Sequence, residues 1–241
     1  IVIYPLIDRQ IPVISLSDLF RFPDVWPFLT WITEPYNILL ALIIIMITTN
    51  EFSNHTFKTQ VIFGINRRDL VTQKILLILA LALFATLLVG LTSLSMGLAY
   101  SYKLTLGLAL ENMQKMAVYF LSSLTYMLYG LFFAMIIKNT ALSILSFLAL
   151  RTFVEPVLFL VFQDHAFRWF MPMRSLTRLT PLPNLIEIFQ RKMEGGESIE
   201  TSEMEILPKG PEPWINILVV AAYAILLTWL CYRLMKRKRL T

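Results

Sequence analysis

Long apolar runs alternate with shorter polar segments along this chain, and the pattern predicts membrane-spanning helices. The runs cover residues 36–49 (extending back towards residue 31), 75–99, 116–137, 141–162 and 214–231. Each approaches the ~20 residues that a helix needs to cross the hydrocarbon core. The runs are too long for barrel strands and lack strict alternation. We therefore predict an all-α integral membrane protein, with residues 1–241 forming a single transmembrane domain of five visible spans.

The composition also indicates a membrane protein, and it excludes several kinds of functional site. The chain is 57% hydrophobic and 15% charged, and a soluble domain of this length could not bury so much apolar surface. With Cys231 as its one cysteine, it cannot form an internal disulfide or a cysteine-based metal site. It also lacks the Gly-x-x-x-x-Gly-Lys-Ser/Thr loop and the common hydrolase motifs. We expect no catalytic, cofactor-binding or metal residues in this chain.

Basic residues near the ends of the runs predict the orientation. They are dense in the short segment 50–74 and at the C-terminus, from Lys236 to Arg239, which places both in the cytoplasm. The net charge of +5 then reflects topology, and we expect no nucleic-acid partner. On this topology His55 and His165 lie on opposite sides and cannot share a metal. Residues 1–30 lie outside, so we expect a sixth span upstream; a five-span protein with an external N-terminus is the alternative.

Two external segments follow from this topology. Residues 1–30 carry Phe20, Phe22, Trp26 and Phe28, a density of aromatic rings that predicts an interfacial helix in the headgroup region. Residues 163–213 form the longer external loop, with a short helix expected at 184–193 and a mobile acidic stretch after it. Glu34, before Pro35, is interpreted as a first-turn acid favoured by the helix dipole.

The segment 50–74, called here the elbow, has the pattern of a short amphipathic helix followed by a tight turn. Phe57 and Val61 share the apolar side, Ser53 or Asn54 can cap the start, and Gly64 is a natural end. Asn66, three residues before Asp69, resembles a capping box for the next helix. Such a helix suits a groove on a partner, but a helix resting on anionic lipid fits the residues equally well.

The elbow closely resembles the loop between the second and third helices in permeases of the type-two ATP-binding-cassette exporter family. The residues that carry the resemblance are Glu51, Phe52, Thr56, Phe57, Lys58, Thr59, Gly64, Arg67 and Arg68, with Asn50, Asn66 and Lys74. In that family this loop is the coupling helix, which docks on the ATPase subunit. The resemblance implies a multi-pass permease of the bacterial inner (cytoplasmic) membrane, working as a homo- or heterodimer with ATPase subunits that bind ATP and magnesium.

A polar pair lies inside the fourth run. Arg151 and Glu155 are four residues apart, on one helical face, so they can pair, and Pro156 should kink the helix. Ionisable groups at membrane depth face the protein interior or water. The pair therefore either lines a translocation path or joins helices as a structural ion pair, and the sequence leaves both open.

Small residues follow one face of the second run. A spacing of four, four, three and four relates Ala82, Thr86, Gly90, Ser93 and Gly97. Such stripes let helices approach closely in lipid. We predict a helix-packing seam here, against this chain or against another subunit.

Three functions remain in view. The leading one is the transmembrane subunit of an ATP-driven exporter, moving a substrate across or out of the membrane. The second is an ATPase-coupled machine that acts mechanically on an external accessory protein through residues 163–213. The third is a membrane-embedded enzyme that uses Glu155. The substrate is not specified by the sequence.

Overall fold

The computed structural model of the chain describes residues 19–54, 56–101, 106–163, 165–182 and 212–237. The short helix expected at residues 184–193, and most of the predicted external loop with it, lie outside the described residues. So does the first part of the predicted interfacial segment.

The regular elements in the described part of the chain are helical. In chain order they are α1 (Val25–Thr33), α2 (Tyr36–Ser53), α3 (Thr56–Ile62), α4 (Arg67–Tyr100), α5 (Leu106–Leu110), α6 (Lys115–Ile137), α7 (Thr140–Ala149), α8 (Glu155–Val161), α9 (Pro172–Thr177) and α10 (Pro213–Arg237). A π-helical turn, Leu150–Val154, joins α7 to α8, and a 3-10 turn, Ala166–Phe170, precedes α9.

Five helical stretches in the described residues are long and apolar enough to cross a membrane, which confirms the predicted helical fold and its five candidate spans. They are Tyr36–Ser53, Arg67–Tyr100, Gly107–Ile137, Thr140–Val161 and Pro213–Lys236. The second of these begins eight residues earlier than its apolar run, because Arg67 to Lys74 continue the same helix out of the hydrophobic stretch.

Helix α6 lies at the centre of the bundle. It packs against α2, α4, α7 and α10, and its middle is buried on several sides, as at Tyr126, Met127, Leu128 and Leu131. A helix that is apolar around its whole circumference is one that is enclosed by others. The surrounding helices each keep an exposed apolar face, such as Leu83, Leu87 and Leu91 on α4, and a face of this kind suits lipid.

Spans α2 and α6 approach each other closely at Gly130 on α6. A Cβ atom added there would lie 2.6 Å from the carbonyl oxygen of Ala41 on α2. Because the obstacle is backbone in the middle of another helix, no side-chain rotation can relieve it. A hydrogen at position 130 is therefore what lets α2 and α6 pack.

Replacing Gly130 with alanine is expected to lower the free energy of unfolding by about 1–3 kcal/mol, the usual cost of forcing an extra carbon into a packed core. Gly90→Ala is the matched control, since its added Cβ meets nothing closer than the Met116 sulfur at 3.8 Å. Alanine is also the better helix former, so the control should be neutral or slightly stabilising. Detergent-titrated unfolding of both variants makes the comparison, and equal stabilities would contradict the close contact.

Helix α1, which lies in the segment predicted to be interfacial, packs against α4 and α6. Val25, Trp26 and Phe28 are buried. The Trp26 indole Nε1 donates to the Ala109 carbonyl at 2.9 Å, and the Phe22 backbone N–H donates to Ser101 Oγ at 3.0 Å. These hydrogen bonds tie the segment to α5 and to the residue that follows α4. Trp26 and Phe28, two of the four aromatic side chains predicted for the headgroup region, are therefore part of the protein core.

The stripe of small residues on α4 also packs inside this chain. Ala82, Ser93 and Gly97 are buried, while Thr86 and Gly90 are partly buried. A Cβ atom added at Gly97 would fall within 3 Å of the Phe22 ring, so that ring occupies the space the glycine leaves. The contacts of this face are made with α1, α6 and the main core.

Candidate functional site

The elbow is anchored to the ends of the spans by a charge pair and a ring stack. Lys74 Nζ donates to Glu51 Oε1, joining the end of α2 to the start of α4. The Phe52 and Phe57 rings stack with centroids 4.4 Å apart. Lys138 Nζ lies 5.4 Å from the Phe52 centroid, which adds a cation–π contact from the connection between α6 and α7. These contacts hold α3 against the bundle.

The turn after α3 directs two apolar side chains away from the protein. Gly64 has φ +93°, a left-handed conformation that a glycine adopts without strain. Its N–H donates to the Val61 carbonyl at 3.1 Å, and the Ile65 N–H donates to the Gln60 carbonyl at 3.1 Å, which is the Schellman arrangement. Gly64 thus ends the helix as predicted. Just before it, Ile62 and Phe63 are 76% and 82% exposed.

We call Ile62 and Phe63 the elbow tip. Neither residue was among the predicted site residues. The sequence feature that could have indicated them is an apolar pair directly before a glycine that ends a helix. Phe57, in contrast, is buried at 3% exposure. Phe57 and the partly buried Val61 therefore fasten the short helix to the core, as predicted for its apolar side, and Ile62 and Phe63 at its end face outward.

The other predicted elbow residues spread around this short helix. Thr56 and Arg67 are partly buried and Thr59 and Arg68 are exposed, while the Lys58 side chain lies outside what the structure describes.

The predicted caps of the elbow helices differ from the observed ones. Ser53 is the last residue of α2, and Asn54 is the C-cap of α2. The Asn66 side chain makes no cap to the α4 backbone; its Nδ2 donates to Asp69 Oδ2 at 3.2 Å. Asn66 and Asp69 do interact across the predicted three-residue spacing, but through a hydrogen bond between their side chains.

Two further hydrogen bonds link the elbow region to the remaining spans. Thr49 Oγ1 and Thr140 Oγ1 are 2.8 Å apart, joining α2 to α7. Thr72 Oγ1 and the Tyr232 hydroxyl are 2.8 Å apart, joining α4 to α10. A displacement of the elbow would therefore act on several spans at once.

Arg151 pairs with Glu34 and Tyr126, which corrects the predicted pairing with Glu155. Its Nη2 lies 3.4 Å from Glu34 Oε2, its Nη1 donates to the Tyr126 hydroxyl, and its guanidinium carbon lies 5.1 Å from the Tyr126 ring centroid. The Tyr126 hydroxyl in turn donates to Glu34. This triad joins the start of α2 to α6 and to the π-helical turn. Glu34 is a buried partner instead of a simple first-turn acid.

Glu155 binds backbone instead. Its Oε1 accepts the Met173 N–H at 2.8 Å and its Oε2 accepts the Arg174 N–H at 2.9 Å. These two N–H groups belong to the first turn of α9, where no carbonyl within the helix can accept them. The carboxylate of one span thus caps a helix of the following segment.

Residues 165–182, the first part of the predicted external loop, pack against the helix bundle. Met173, Leu176 and Leu179 are buried in the main core. Asn216 Nδ2 donates to the Ser175 carbonyl at 2.8 Å, and the Tyr223 hydroxyl donates to the Phe170 carbonyl at 2.7 Å. We call residues 165–182 the re-entrant segment, since it is held between α8 and α10.

The predicted irregularity around Pro156 has a specific form. The π-helical turn Leu150–Val154 comes directly before α8, and Pro156 is the second residue of α8. A proline is well accommodated in a first turn because its missing N–H would have no intrahelical acceptor. The turn orients Arg151 and Glu155 towards different partners.

Comparison of the chain with protein-family models, with curated proteins and with solved structures finds no match.

Proposed function

We propose that this chain is the transmembrane subunit of an ATP-driven exporter in the bacterial inner membrane, with its C-terminus in the cytoplasm. The observation that carries the proposal is the elbow: an exposed apolar tip on a short helix that is firmly fastened to the spans. A separate ATPase subunit would receive this tip and would hold the ATP and magnesium. A second permease copy, identical or different, would complete the path, and this chain itself would carry out no catalysis.

The anchoring contacts suit the transmission of force. An apolar pair on a short helix is a natural ligand for a groove on a partner. The Glu51–Lys74 pair and the Phe52–Phe57 stack prevent the helix from swinging independently of α2 and α4. Closure of the ATPase pair on ATP would therefore shift the cytoplasmic ends of the spans, as in other rigid-body transitions.

The double substitution Ile62→Asp/Phe63→Asp is expected to abolish co-purification of the ATPase. Hot-spot side chains at interfaces commonly contribute about 2 kcal/mol or more each, and two carboxylates would also have to be desolvated. The measurement is affinity purification of the tagged chain in mild detergent, followed by nucleotide binding and ATPase assays of the eluate. Wild type should bring down a nucleotide-binding subunit with activity, and the variant should not.

Leu110→Asp is the matched control, because Leu110 is also an exposed apolar residue, 62% accessible, but lies on α5, away from the elbow. It should leave ATPase co-purification unchanged. If the tip variant retains the ATPase at the wild-type level, or if wild type elutes alone without ATPase activity, the elbow is a helix resting on lipid and the proposal fails.

A second candidate is a machine that uses ATP to act on an external accessory protein. The re-entrant segment favours it, since Glu155 and Asn216 tie this segment to α8 and α10 and motion of the spans would reach the external loop. Co-purification of an external protein that is lost on deletion of residues 194–205 would distinguish it from export. An enzyme using Glu155 is the weaker candidate, because both carboxylate oxygens already accept backbone N–H groups.

A further inference from the structure

Three arginines of the re-entrant segment gather on two aromatic rings. We call Arg168, Arg174, Arg178, Phe159 and Trp169 the arginine cluster. The guanidinium carbon of Arg174 lies 3.6 Å from the Phe159 centroid, that of Arg178 lies 4.6 Å from the Trp169 centroid, and that of Arg168 lies 4.9 Å from the Trp169 centroid. The two ring centroids are 5.4 Å apart. Three positive charges therefore share one small surface.

The two aromatic rings contact the flat faces of the guanidinium groups. Some N–H groups at the guanidinium edges have no acceptor among the described residues. Arg174 Nε and Arg178 Nη1 are buried and have no hydrogen-bond partner among the described residues. The nearby carboxylate of Glu155 accepts the Met173 and Arg174 backbone N–H groups. Guanidinium has only donors, and a buried donor that lacks an acceptor is costly.

Burial and mutual repulsion both act on these charges. Burial lowers the pKa of Arg174, and the charge of Arg168 lowers it further, although Glu155 opposes both. Burial and the charge of Arg174 likewise lower the pKa of Arg178. An anion placed among the guanidinium groups would relieve the repulsion and accept the free N–H edges.

We propose that the arginine cluster binds the phosphate of an anionic lipid headgroup. Guanidinium groups match phosphate oxygens in bidentate geometry. A cavity of about 150 Å³ adjoins the cluster and gives room for headgroup oxygens; Arg151, Arg174, Thr177 and the carboxylate-bearing Glu155 are among its lining residues. Both Glu155 oxygens already accept backbone N–H groups.

The surface beside the cluster identifies the source of the phosphate as lipid. Val157, Leu160 and Val161 lie on α8, the same helix as Phe159, and are all more than half exposed, Leu160 at 69%. An acyl chain attached to the bound phosphate would run along this apolar face. Free inorganic phosphate has no acyl chain, so this apolar face would add nothing to its binding. The site is independent of the elbow, so its test does not depend on a docked ATPase.

The test is a titration of the purified full chain in a neutral detergent with dioctanoyl phosphatidylglycerol. Dioctanoylglycerol and inorganic phosphate are titrated in parallel, and binding is followed by unfolding temperature and native mass spectrometry. Phosphatidylglycerol should bind saturably and raise the unfolding temperature, whereas the other two should not. Arg168→Gln/Arg178→Gln should weaken the binding at least about tenfold, given the contribution of each basic group near anionic lipid.

Lys115→Gln is the matched control, a basic residue at the start of α6 outside the cluster, and should bind like wild type. Arg168→Gln alone is the second variant, to be used if the double variant does not fold, and should weaken binding measurably. Equal stabilisation by inorganic phosphate would make this a soluble-phosphate site and overturn the lipid proposal. So would wild-type affinity in the arginine variants. Binding that appears only after Glu194, Glu197 and Glu200 are changed to glutamine would show that the chain's own acidic residues neutralise the cluster, and it would also overturn the proposal.

Discussion

Replacing Arg151 with methionine is expected to lower the free energy of unfolding by about 3–5 kcal/mol, the usual cost of removing one partner from a buried ion pair. Methionine keeps the length and apolar character of the side chain, so packing changes little. What remains is the Glu34 carboxylate, with a side chain 9% exposed, facing a helix bundle without its positive partner. Unfolding titrated with a denaturing detergent gives the measurement.

The double variant Glu34→Gln/Arg151→Met is the decisive control. The glutamine oxygen can still accept the Tyr126 hydroxyl, and no charge is left unpaired. Because the large loss in a broken buried pair comes from the charge left uncompensated, the double variant, which leaves no such charge, should recover most of the stability lost by the single one. Additive losses in the two single variants would show that Arg151 and Glu34 act separately and would reopen a direct role for Arg151 in a path.

Replacing Glu155 with leucine is expected to lower the free energy of unfolding by about 3–5 kcal/mol, since hydrogen bonds to a charged group contribute ~1.5–3 kcal/mol each. The Met173 and Arg174 N–H groups would lose their acceptors, and the first turn of α9 would be uncapped. The loss should be concentrated in the re-entrant segment. Hydrogen exchange resolved by peptide should show faster exchange in residues 166–177 together with lower global stability.

Two matched variants sharpen this test. Glu155→Gln retains one oxygen acceptor, so its loss should be intermediate. Glu111→Leu removes an exposed carboxylate and should leave exchange in the re-entrant segment unchanged. If Glu155→Leu is as stable as wild type while a chemical activity disappears, the carboxylate serves chemistry and its capping contacts are incidental.

The spans could be predicted because the information for them is local. A run such as residues 116–137 is apolar over its whole length, and in lipid a helix is the structure that satisfies all of its own backbone groups. The observed helix, Lys115–Ile137, differs from that run by a single residue at one end. The elbow helix was visible for a related reason, since Gly64 supplies its end from within the same few residues.

The partners of the charged groups could not be predicted in this way. Helical periodicity places Arg151 and Glu155 on one face, but the π-helical turn between α7 and α8 changes that register. Glu34 is 117 residues from Arg151 in sequence, and only the packing of α2 against α6 and α7 brings the two together. The packing of residues 165–182 could not be predicted for the same reason, because their apolar residues bury against α10, which follows much later in the chain.

The sequence by itself determined that this is a helical protein, where five stretches long and apolar enough to cross a membrane lie, and where a short polar elbow ends at a glycine, since chain length, hydropathy and local turn chemistry suffice for each. Tertiary structure decided which side chains the elbow exposes, which acid neutralises Arg151, and which carboxylate caps the re-entrant segment. It also decided that α2 and α6 meet at Gly130, whereas the sequence drew attention to the small residues of α4. These outcomes depend on contacts between distant segments, which no local pattern contains.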